Sequence, residues 1–303
     1  MLSSIKNWLK QPYKVFCALR RDLARKTMVG YYPVWLEYPM NPQPRYGHGQ
    51  PPHERLYRTL DRGRERYAAE LRKILSLKER FFRISQRTPD DSPEPCWINR
   101  WFPGLDAVAL YSQVAVNKPP LFLEIGSGTS TKFARRAARD FNLKTRIISI
   151  DPQPRAEIDK LCDEVIRLPL EKVDPSVFSQ LHSGDILFFD GSHYCFQNSD
   201  VTTFFLEIMP SLPPGVIVEL HDITLPYDYP PEWKERYYNE QYLLAVLLLA
   251  NPDSVEILSP NAFISSDAEL SGILADLWAA PELAGVHRHG GSFWFRSRQR
   301  DTD

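Results

Sequence analysis

Two short segments combine glycine and acidic residues at a spacing that suits a nucleoside ligand. In the first, Glu124 precedes Gly126 and Gly128 at the end of an apolar run, and in the second Asp151 ends another apolar run. The glycines allow a tight turn at the start of a helix, where backbone amides can approach a ligand. An acid at the distance of Asp151 can accept hydrogen bonds from ribose hydroxyls. Because a carboxylate at Glu124 repels a pyrophosphate, the set predicts a pocket for a nucleoside with a cationic tail, as in S-adenosylmethionine.

Four further candidates end two later apolar runs: Asp190 and His193 follow one of them, and His221 and Asp222 follow the other. Two kinds of chemistry are open to them. His193, three residues after Asp190, could act as a general base near neutral pH. Alternatively, Asp190 and Asp222 could hold Mg²⁺, which would lower the pKa of a bound hydroxyl and orient its oxygen. Glu240, which opens a later helix, is a possible further ligand or acceptor contact, or a simple helix-terminal acid.

The elements that must position these residues alternate between short apolar runs and helical stretches. This alternation predicts an α/β fold, a doubly wound and mostly parallel Rossmann-like sheet with helices on both faces, preceded by an N-terminal helical and loop extension. In such a sheet, ligands bind outside the carboxyl ends of the strands. The predicted strands are 121–125, 146–150, 164–168, 185–189 and 216–220, with 255–259 and 292–296 extending the sheet. Between them the predicted helices are 130–141, 155–162, 174–181, 199–211 and 240–249.

With these motifs in place, the chain resembles the class I S-adenosylmethionine-dependent methyltransferases, in particular a bacterial subgroup that acts on small molecules and sugars. The resemblance rests on the segments 124–128, 185–193 and 215–223 and on Asp151, and it covers about residues 118–260. It implies that the cofactor contacts Glu124, Gly126, Ser127, Gly128, Ser130, Asp151, Leu170, Glu171 and Asp190.

The position of the strand ends beside the expected methyl group predicts catalytic roles for Asp190, His193 and His221, and the resemblance implies metal binding by Asp190 and Asp222. In metal-dependent relatives an amide often follows the second aspartate, where this chain has Ile223. The function expected from the resemblance is transfer of a methyl group to an oxygen of a small-molecule or saccharide-like acceptor. Two alternatives remain open at this point: an NAD-dependent oxidoreductase, and a non-catalytic scaffold that keeps the cofactor fold.

Composition and the N-terminal third set the remaining expectations. The net charge of -1 over 303 residues gives no electrostatic reason to expect nucleic acid as a partner, and the four cysteines form no CxxC pair. The longest apolar run is too short to span a bilayer, and no signal peptide is evident, so a cytoplasmic location is expected. Residues 4–28 form a basic amphipathic segment that could contact anionic lipid, although packing on its own domain is the more common use of such a face.

Many of the 26 prolines gather with aromatic residues in three segments, 31–52, 97–103 and 226–231. Because proline disrupts helices and central strands, these segments are expected to be loops. We predict a division into an extension or cap over residues 1–118 and a cofactor-binding domain over residues 119–303. The proline-rich loops are the expected builders of the acceptor site, and the sequence leaves the oligomeric state open.

Overall fold

The computed structural model describes residues 37–38, 40–154 and 156–298. Two compact units divide the chain, Met1–Pro42 and Gln43–Asp303, and the architecture below is that of the second unit. The predicted basic segment 4–28 lies outside the described residues. Within the part of the chain that is described, no helix is both long and apolar enough to cross a membrane.

A seven-stranded sheet in the order β3-β2-β1-β4-β5-β7-β6 forms the centre of the described unit. β1 to β5 are parallel, whereas β7 runs antiparallel to both of its neighbours. The strands are β1 (Leu121–Ile125), β2 (Arg146–Ile150), β3 (Glu164–Ile166), β4 (Ile186–Phe189), β5 (Ile217–Leu220), β6 (Val255–Pro260) and β7 (Phe293–Ser297). This is the predicted doubly wound, mostly parallel Rossmann-like sheet with helices on both faces.

Helices precede the sheet and connect its strands. The α-helices are α1 (Glu54–Asp61), α2 (Arg64–Ser76), α3 (Lys78–Phe81), α4 (Gly104–Asn117), α5 (Thr129–Asp140), α6 (Asp200–Thr203), α7 (Met209–Ser211), α8 (Glu240–Ala250), α9 (Asn261–Ser266), α10 (Ala268–Gly272) and α11 (Ala275–Trp278). A π-helical segment, Phe204–Ile208, joins α6 to α7 just before Pro210. Proline has no N–H to donate and its ring crowds the preceding turn, which is consistent with the widened helix here.

Most predicted strands lie where the apolar runs placed them, and β1 and β2 have the predicted bounds. The predicted helix at 155–162 was wrong, because the described part of that segment contains only the 3-10 turn Asp159–Leu161. Pro152 and Pro154 occupy the start of a connection that must reach β3 at Glu164, which leaves room for a single turn. The helix predicted at 174–181 is a 3-10 helix, Pro175–Gln180.

The sheet places the carboxyl ends of β1, β2, β4 and β5 along one edge. The chain runs outward from β1 through β2 to β3 and then returns to β4 on the other side of β1. The crevice outside β1 and β4 is therefore the point where the strand order reverses, which is where ligands bind in open α/β sheets. All five residues of β1 are buried, as expected for a central parallel strand covered on both faces.

Candidate functional site

Gly126 makes the turn that joins β1 to the end of β4. Its φ is +79°, and a Cβ atom at this position would lie 1.7 Å from the carbonyl oxygen of Asp190. The Gly126 N–H donates to the carbonyl of Ile150, and the Asp190 N–H donates to the carbonyl of Ile125. The turn therefore brings the ends of β1, β2 and β4 into direct backbone contact, and it can do so only with glycine at this position.

Glu124 fastens this loop to the start of α5. The side chain is fully buried, and its two carboxylate oxygens accept hydrogen bonds from the hydroxyls of Ser130, at 2.5 Å, and Thr131. Burial raises the pKa of Glu124 to about 8, against the lowering effect of these two hydrogen bonds. Both oxygens are thus engaged within the loop, so Glu124 fixes the shape of the turn.

The perturbed acid gives a pH-dependent stability. The folded-state pKa of Glu124, about 8, lies above its ordinary value of 4.5, so between these values the folded state holds more protons than the unfolded state and stability falls as pH rises. We expect Glu124→Gln to remove this loss. The free energy of unfolding of the variant relative to wild type should rise by roughly 2–4 kcal/mol between pH 5 and pH 9, measured by urea denaturation.

The exposed Glu65→Gln substitution is the control and should leave the pH dependence as in wild type. Glu219 is also buried with a raised pKa of about 8, but it is present in both proteins and cancels in the comparison. Parallel pH profiles for Glu124→Gln and wild type would contradict the assignment to Glu124.

Asp151 lies at the end of β2 beside the same loop. Its Oδ2 atom accepts a hydrogen bond of 2.8 Å from the Ser127 N–H, and its Oδ1 atom accepts one of 2.7 Å from the Gln153 N–H. The Ser127 hydroxyl lies 2.7 Å from the buried hydroxyl of Ser149. Asp151 is therefore held in one orientation beside Ser127, at the edge where the ribose of a bound nucleoside is expected.

Gly128 differs from Gly126 in its surroundings. A Cβ atom added there would meet no atom of the described residues within 4 Å. The Gly128 N–H donates to the hydroxyl of Thr131 at the start of α5. The backbone at Gly128 thus faces open space above the helix N-terminus, as close approach of a ligand to this turn requires.

Leu170 and Glu171 lie in a 3-10 turn after β3 and line a cleft of about 500 Å³. The lining also includes Asn198, Thr203 and Glu207 from the segment that leads from β4 to β5. The residues of the glycine loop and Asp151 do not belong to the lining of this cleft. The structure thus joins seven of the predicted cofactor residues around the ends of β1, β2 and β4, and places Leu170 and Glu171 on a neighbouring depression.

A second cluster occupies the ends of β4 and β5 and centres on His193. The His193 Nε2 atom lies 3.3 Å from Oδ1 of Asp190 and 3.7 Å from Oδ2 of Asp222. The Nδ1 atom lies 2.8 Å from Oε2 of Glu240, the first residue of α8. His193 is 5% exposed and Glu240 is fully buried. Sequence reasoning placed Asp190, His193 and Asp222 together and named Glu240 as a possible further member, and the structure brings all four side chains to one place.

His221 has a similar arrangement on the other side of Asp222. Its Nδ1 atom lies 3.3 Å from Oε1 of the buried Glu219 and 3.3 Å from the Ser292 hydroxyl, and its Nε2 atom lies 3.8 Å from Oδ1 of Asp222. The ring packs against Phe102, with 5.3 Å between ring centroids. Each oxygen of the Asp222 carboxylate therefore faces an imidazole, and each imidazole contacts a buried glutamate.

Two residues of this second cluster have a left-handed backbone conformation. His193 has a φ of +64° and Asp222 a φ of +55°, in the left-handed region that favours glycine. Residues other than glycine persist there only when their surroundings hold them, and such positions are enriched at functional sites. Two hydrogen bonds stabilise the backbone around His193. The His193 carbonyl accepts from the Asn239 N–H, and the Asn239 side chain accepts from the Cys195 N–H.

Aromatic side chains cover the cluster on the side of the 227–242 segment. Tyr238 packs on the His193 ring at a centroid distance of 4.3 Å, and it also contacts Tyr194, Tyr229 and Trp233. We call these four residues the aromatic wall. The proline and aromatic residues of this segment had predicted a loop that helps to form the acceptor site. The structure does place the segment between β5 and α8 beside the cluster.

The predicted Mg²⁺ site is not supported by the geometry. Asp190 and Asp222 converge, but their oxygens converge on the Nε2 atom of His193, and the position after Asp222 is taken by the buried apolar Ile223. In residues 37–38, 40–154 and 156–298, no group of three or more His, Cys, Asp and Glu side chains is arranged to hold a metal ion. The residues present therefore do not fit a divalent cation held by Asp190 and Asp222.

Comparison with known proteins adds one family match and several distant structural likenesses. Residues 123–223 match the family model Methyltransf_24, a methyltransferase domain. A comparison with curated proteins gave no match. The matched segment runs from β1 to the residue after Asp222, so it includes the glycine loop, Asp151, Asp190 and His193. The match supports a methyltransferase.

Three solved structures resemble the chain. The SAH-bound methyltransferase PaMTH1 from Podospora anserina is 17% identical, with 75% of this chain and 88% of that chain covered and a TM-score of 0.41. A putative methyltransferase from Thermobifida fusca YX is 13% identical, with coverages of 65% and 84% and a TM-score of 0.34. Coclaurine N-methyltransferase bound to N-methylheliamine and SAH is 12% identical, with coverages of 82% and 94% and a TM-score of 0.27.

Proposed function

We propose that this chain is an S-adenosylmethionine-dependent methyltransferase that acts on an oxygen of a small-molecule or saccharide-like acceptor. The observation that carries the proposal is the meeting of two clusters at one edge of the sheet, inside the segment that matches a methyltransferase domain. The first cluster, around Gly126 and Asp151, suits a nucleoside. The second, around Asp190 and Asp222, suits the hydroxyl that receives the methyl group.

In the proposed complex, the cofactor lies across the glycine loop. Asp151 accepts hydrogen bonds from the ribose hydroxyls, since a carboxylate oxygen can accept a further bond beside the one from Ser127 or Gln153. The open space at Gly128 admits the ligand to the start of α5. Leu170 and Glu171 are the proposed contacts to the adenine ring. The negative charge of Asp190 favours the positively charged sulfonium end of the cofactor at the end of β4.

The proposed reaction is an in-line displacement at the methyl carbon. A lone pair of the acceptor oxygen forms the new O–C bond while the S–C bond breaks, and its electrons stay on sulfur as S-adenosylhomocysteine leaves. The hydroxyl proton passes to the carboxylate of Asp222, which lies beside Asp190 at the ends of adjacent strands. Most of the catalysis then comes from alignment of the oxygen with the methyl group.

The aromatic wall and the carboxylates together favour an uncharged, hydroxylated acceptor. Tyr238 and its aromatic neighbours offer flat apolar faces, whereas Asp190 and Asp222 accept hydrogen bonds from hydroxyl groups. An anionic acceptor would meet repulsion from both carboxylates. The NAD-dependent oxidoreductase and the non-catalytic scaffold remain as outcomes of the experiment that follows.

The test is ligand-induced thermal stabilisation, followed by isothermal titration calorimetry with S-adenosylhomocysteine. We expect the wild-type Tm to rise with the cofactor or its product and not with NAD, since a ligand that binds only the folded state stabilises it. Asp151→Ala should weaken S-adenosylhomocysteine binding by about 10- to 100-fold, equivalent to roughly 1.4–2.8 kcal/mol.

Asp159→Ala is the matched control, because Asp159 is an exposed acid nearby that pairs with Arg167. It should change the affinity by less than about twofold. A Tm rise with NAD alone would favour the oxidoreductase, and the absence of any response to S-adenosylmethionine, S-adenosylhomocysteine and NAD would favour the scaffold. Either result would contradict the proposed methyltransferase.

A further inference from the structure

Both nitrogen atoms of the His193 ring face carboxylates. Nδ1 lies 2.8 Å from Glu240, and Nε2 lies 3.3 Å from Asp190 and 3.7 Å from Asp222. A neutral imidazole has a hydrogen on only one nitrogen, so the lone pair of the other would point at a carboxylate oxygen. The doubly protonated ring, which donates from both nitrogens, is the form that matches these contacts.

Glu240 faces the Nδ1 side of the ring, where burial raises its pKa, and the hydrogen bond to His193 and the charge of that ring act in the opposite direction. Its side chain is fully buried, and its Oε1 atom has no hydrogen-bond partner among the described residues. An isolated buried carboxylate is costly, whereas a carboxylate beside a cation is compensated. The Nδ1 atom of His193 supplies that compensation at 2.8 Å.

The elements around His193 supply more negative charge than a neutral ring would balance. The groups that face it are Asp190 from the end of β4, Asp222 from the end of β5, Glu240 from α8 and the rings of Tyr194 and Tyr238. Burial by itself lowers the pKa of His193, but the hydrogen bonds to Asp190 and Glu240 outweigh this effect and raise the pKa well above its usual value.

We propose that the imidazolium of His193, held in place by Glu240, is the fixed cation that positions the carboxylates of Asp190 and Asp222, so that methyl transfer needs no divalent metal. The inference rests on the proposed methyltransferase function and extends it. The sequence pattern predicted Mg²⁺ between the two carboxylates, and a side chain of the protein occupies that place.

This assignment replaces the general-base role that the sequence suggested for His193 with a positioning role. With a hydrogen on each nitrogen, the ring cannot accept a proton from the acceptor, so His193 is a positioning residue and the proton goes to Asp222. Glu240 acts through His193 and is likewise a positioning residue. A fixed internal cation also lets two carboxylates stand close together without a solvent ion between them.

The experiment uses the full-length protein with ¹⁵N-labelled histidine and needs no knowledge of the acceptor. Long-range ¹⁵N–¹H spectra report the protonation of each ring nitrogen, and we expect both nitrogens of His193 to carry hydrogen at neutral pH. Millimolar Mg²⁺, Mn²⁺ or Zn²⁺ should move the Tm by less than about 1 °C and leave the His193 signals in place.

Variants identify the signal and test the link to Glu240. His193→Gln should remove the assigned resonances. Glu240→Gln should convert His193 to a ring protonated on one nitrogen. Glu235→Gln, an exposed substitution in the segment before α8, is the control and should leave the His193 signals as in wild type.

A wild-type His193 with one unprotonated nitrogen would overturn the proposal, and so would a divalent ion that raises the Tm and perturbs the His193 signals. S-adenosylhomocysteine binding, measured on the same sample, distinguishes a failure of the proposed methyltransferase function from a failure of the inference about His193. Loss of that binding in wild type contradicts the methyltransferase function, whereas normal binding with a metal-sensitive His193 contradicts only the present inference.

Discussion

Gly126→Ala is expected to destabilise the protein by about 3 kcal/mol or more and to abolish its thermal response to S-adenosylhomocysteine. Two effects combine at this position. The backbone φ of +79° is unfavourable for any residue with a side chain, and the new Cβ atom would lie 1.7 Å from the carbonyl oxygen of Asp190. Since the backbones of β1 and β4 meet at this contact, relief of the clash must separate the glycine loop from Asp190. Urea denaturation and a ligand thermal shift measure the two results.

Gly184→Ala separates the clash from the backbone strain. Gly184 also has a positive φ, +91°, but a Cβ atom there would meet nothing within 4 Å. The control should therefore lose only about 1 kcal/mol and keep the full response to S-adenosylhomocysteine. Equal stability losses in the two variants, with ligand response retained in both, would show that the contact between Gly126 and Asp190 does not hold the site.

The strand positions were largely predictable because a central parallel strand is covered on both faces and its sequence is mostly apolar. β1 is flanked by Pro120 and Gly126 and β2 by Thr145 and Asp151, and the predicted bounds match the observed strands. The connection after β2 was predicted as a helix at 155–162 and is a single 3-10 turn. Helical spacing over eight residues is weak evidence when prolines and a short connection compete with it.

The acids and histidines at the strand ends were predictable for a topological reason. Once β4 and β5 are neighbours in a parallel sheet, Asp190 and Asp222 must lie at the same edge. The partners of the histidines were harder to identify. Glu240 is 47 positions from His193 in sequence, and Glu219 sits inside an apolar strand, where the sequence shows its burial but not its partner. Contacts of this kind depend on packing between distant elements.

The Mg²⁺ expectation shows the limit of reasoning from spacing. Two aspartates at adjacent strand ends satisfy the pattern of a metal site, but the pattern does not say what lies between them. The structure places the Nε2 atom of His193 there. His193 reaches this place with a left-handed backbone, with φ of +64°. No periodicity in the sequence predicts such a conformation for histidine.

Asp106→Ala is expected to cost about 3–5 kcal/mol of stability and also to disturb the histidine cluster. Asp106 lies in the first turn of α4 and is fully buried. Its carboxylate accepts hydrogen bonds from the Asn261 side chain at 2.8 Å, the Gly291 N–H at 2.8 Å and the Ser292 N–H at 2.9 Å. Alanine would leave all three donors buried without this acceptor.

The expected effect on the site follows from the contacts that Gly291 and Ser292 make with residues of the histidine cluster. The Gly291 carbonyl accepts from the Ile223 N–H at 2.7 Å, directly after Asp222, and the Ser292 hydroxyl lies 3.3 Å from Nδ1 of His221. Loss of Asp106 therefore frees the segment that supports Asp222 and His221. We expect the ¹⁵N signals of His221 to shift in Asp106→Ala, in addition to the lower midpoint of urea denaturation.

Asp185→Ala distinguishes a general loss of stability from a specific effect on the site. Asp185 is another buried acid that accepts from backbone N–H groups, those of Leu121 at 2.9 Å and His182 at 2.8 Å. These residues lie where β1 and β4 begin, at the opposite edge of the sheet from the histidine cluster. The variant should lose comparable stability, yet keep the His221 signals of wild type. Unchanged His221 signals in Asp106→Ala, or equal changes in both variants, would contradict the link from α4 through Gly291 and Ser292 to the candidate site.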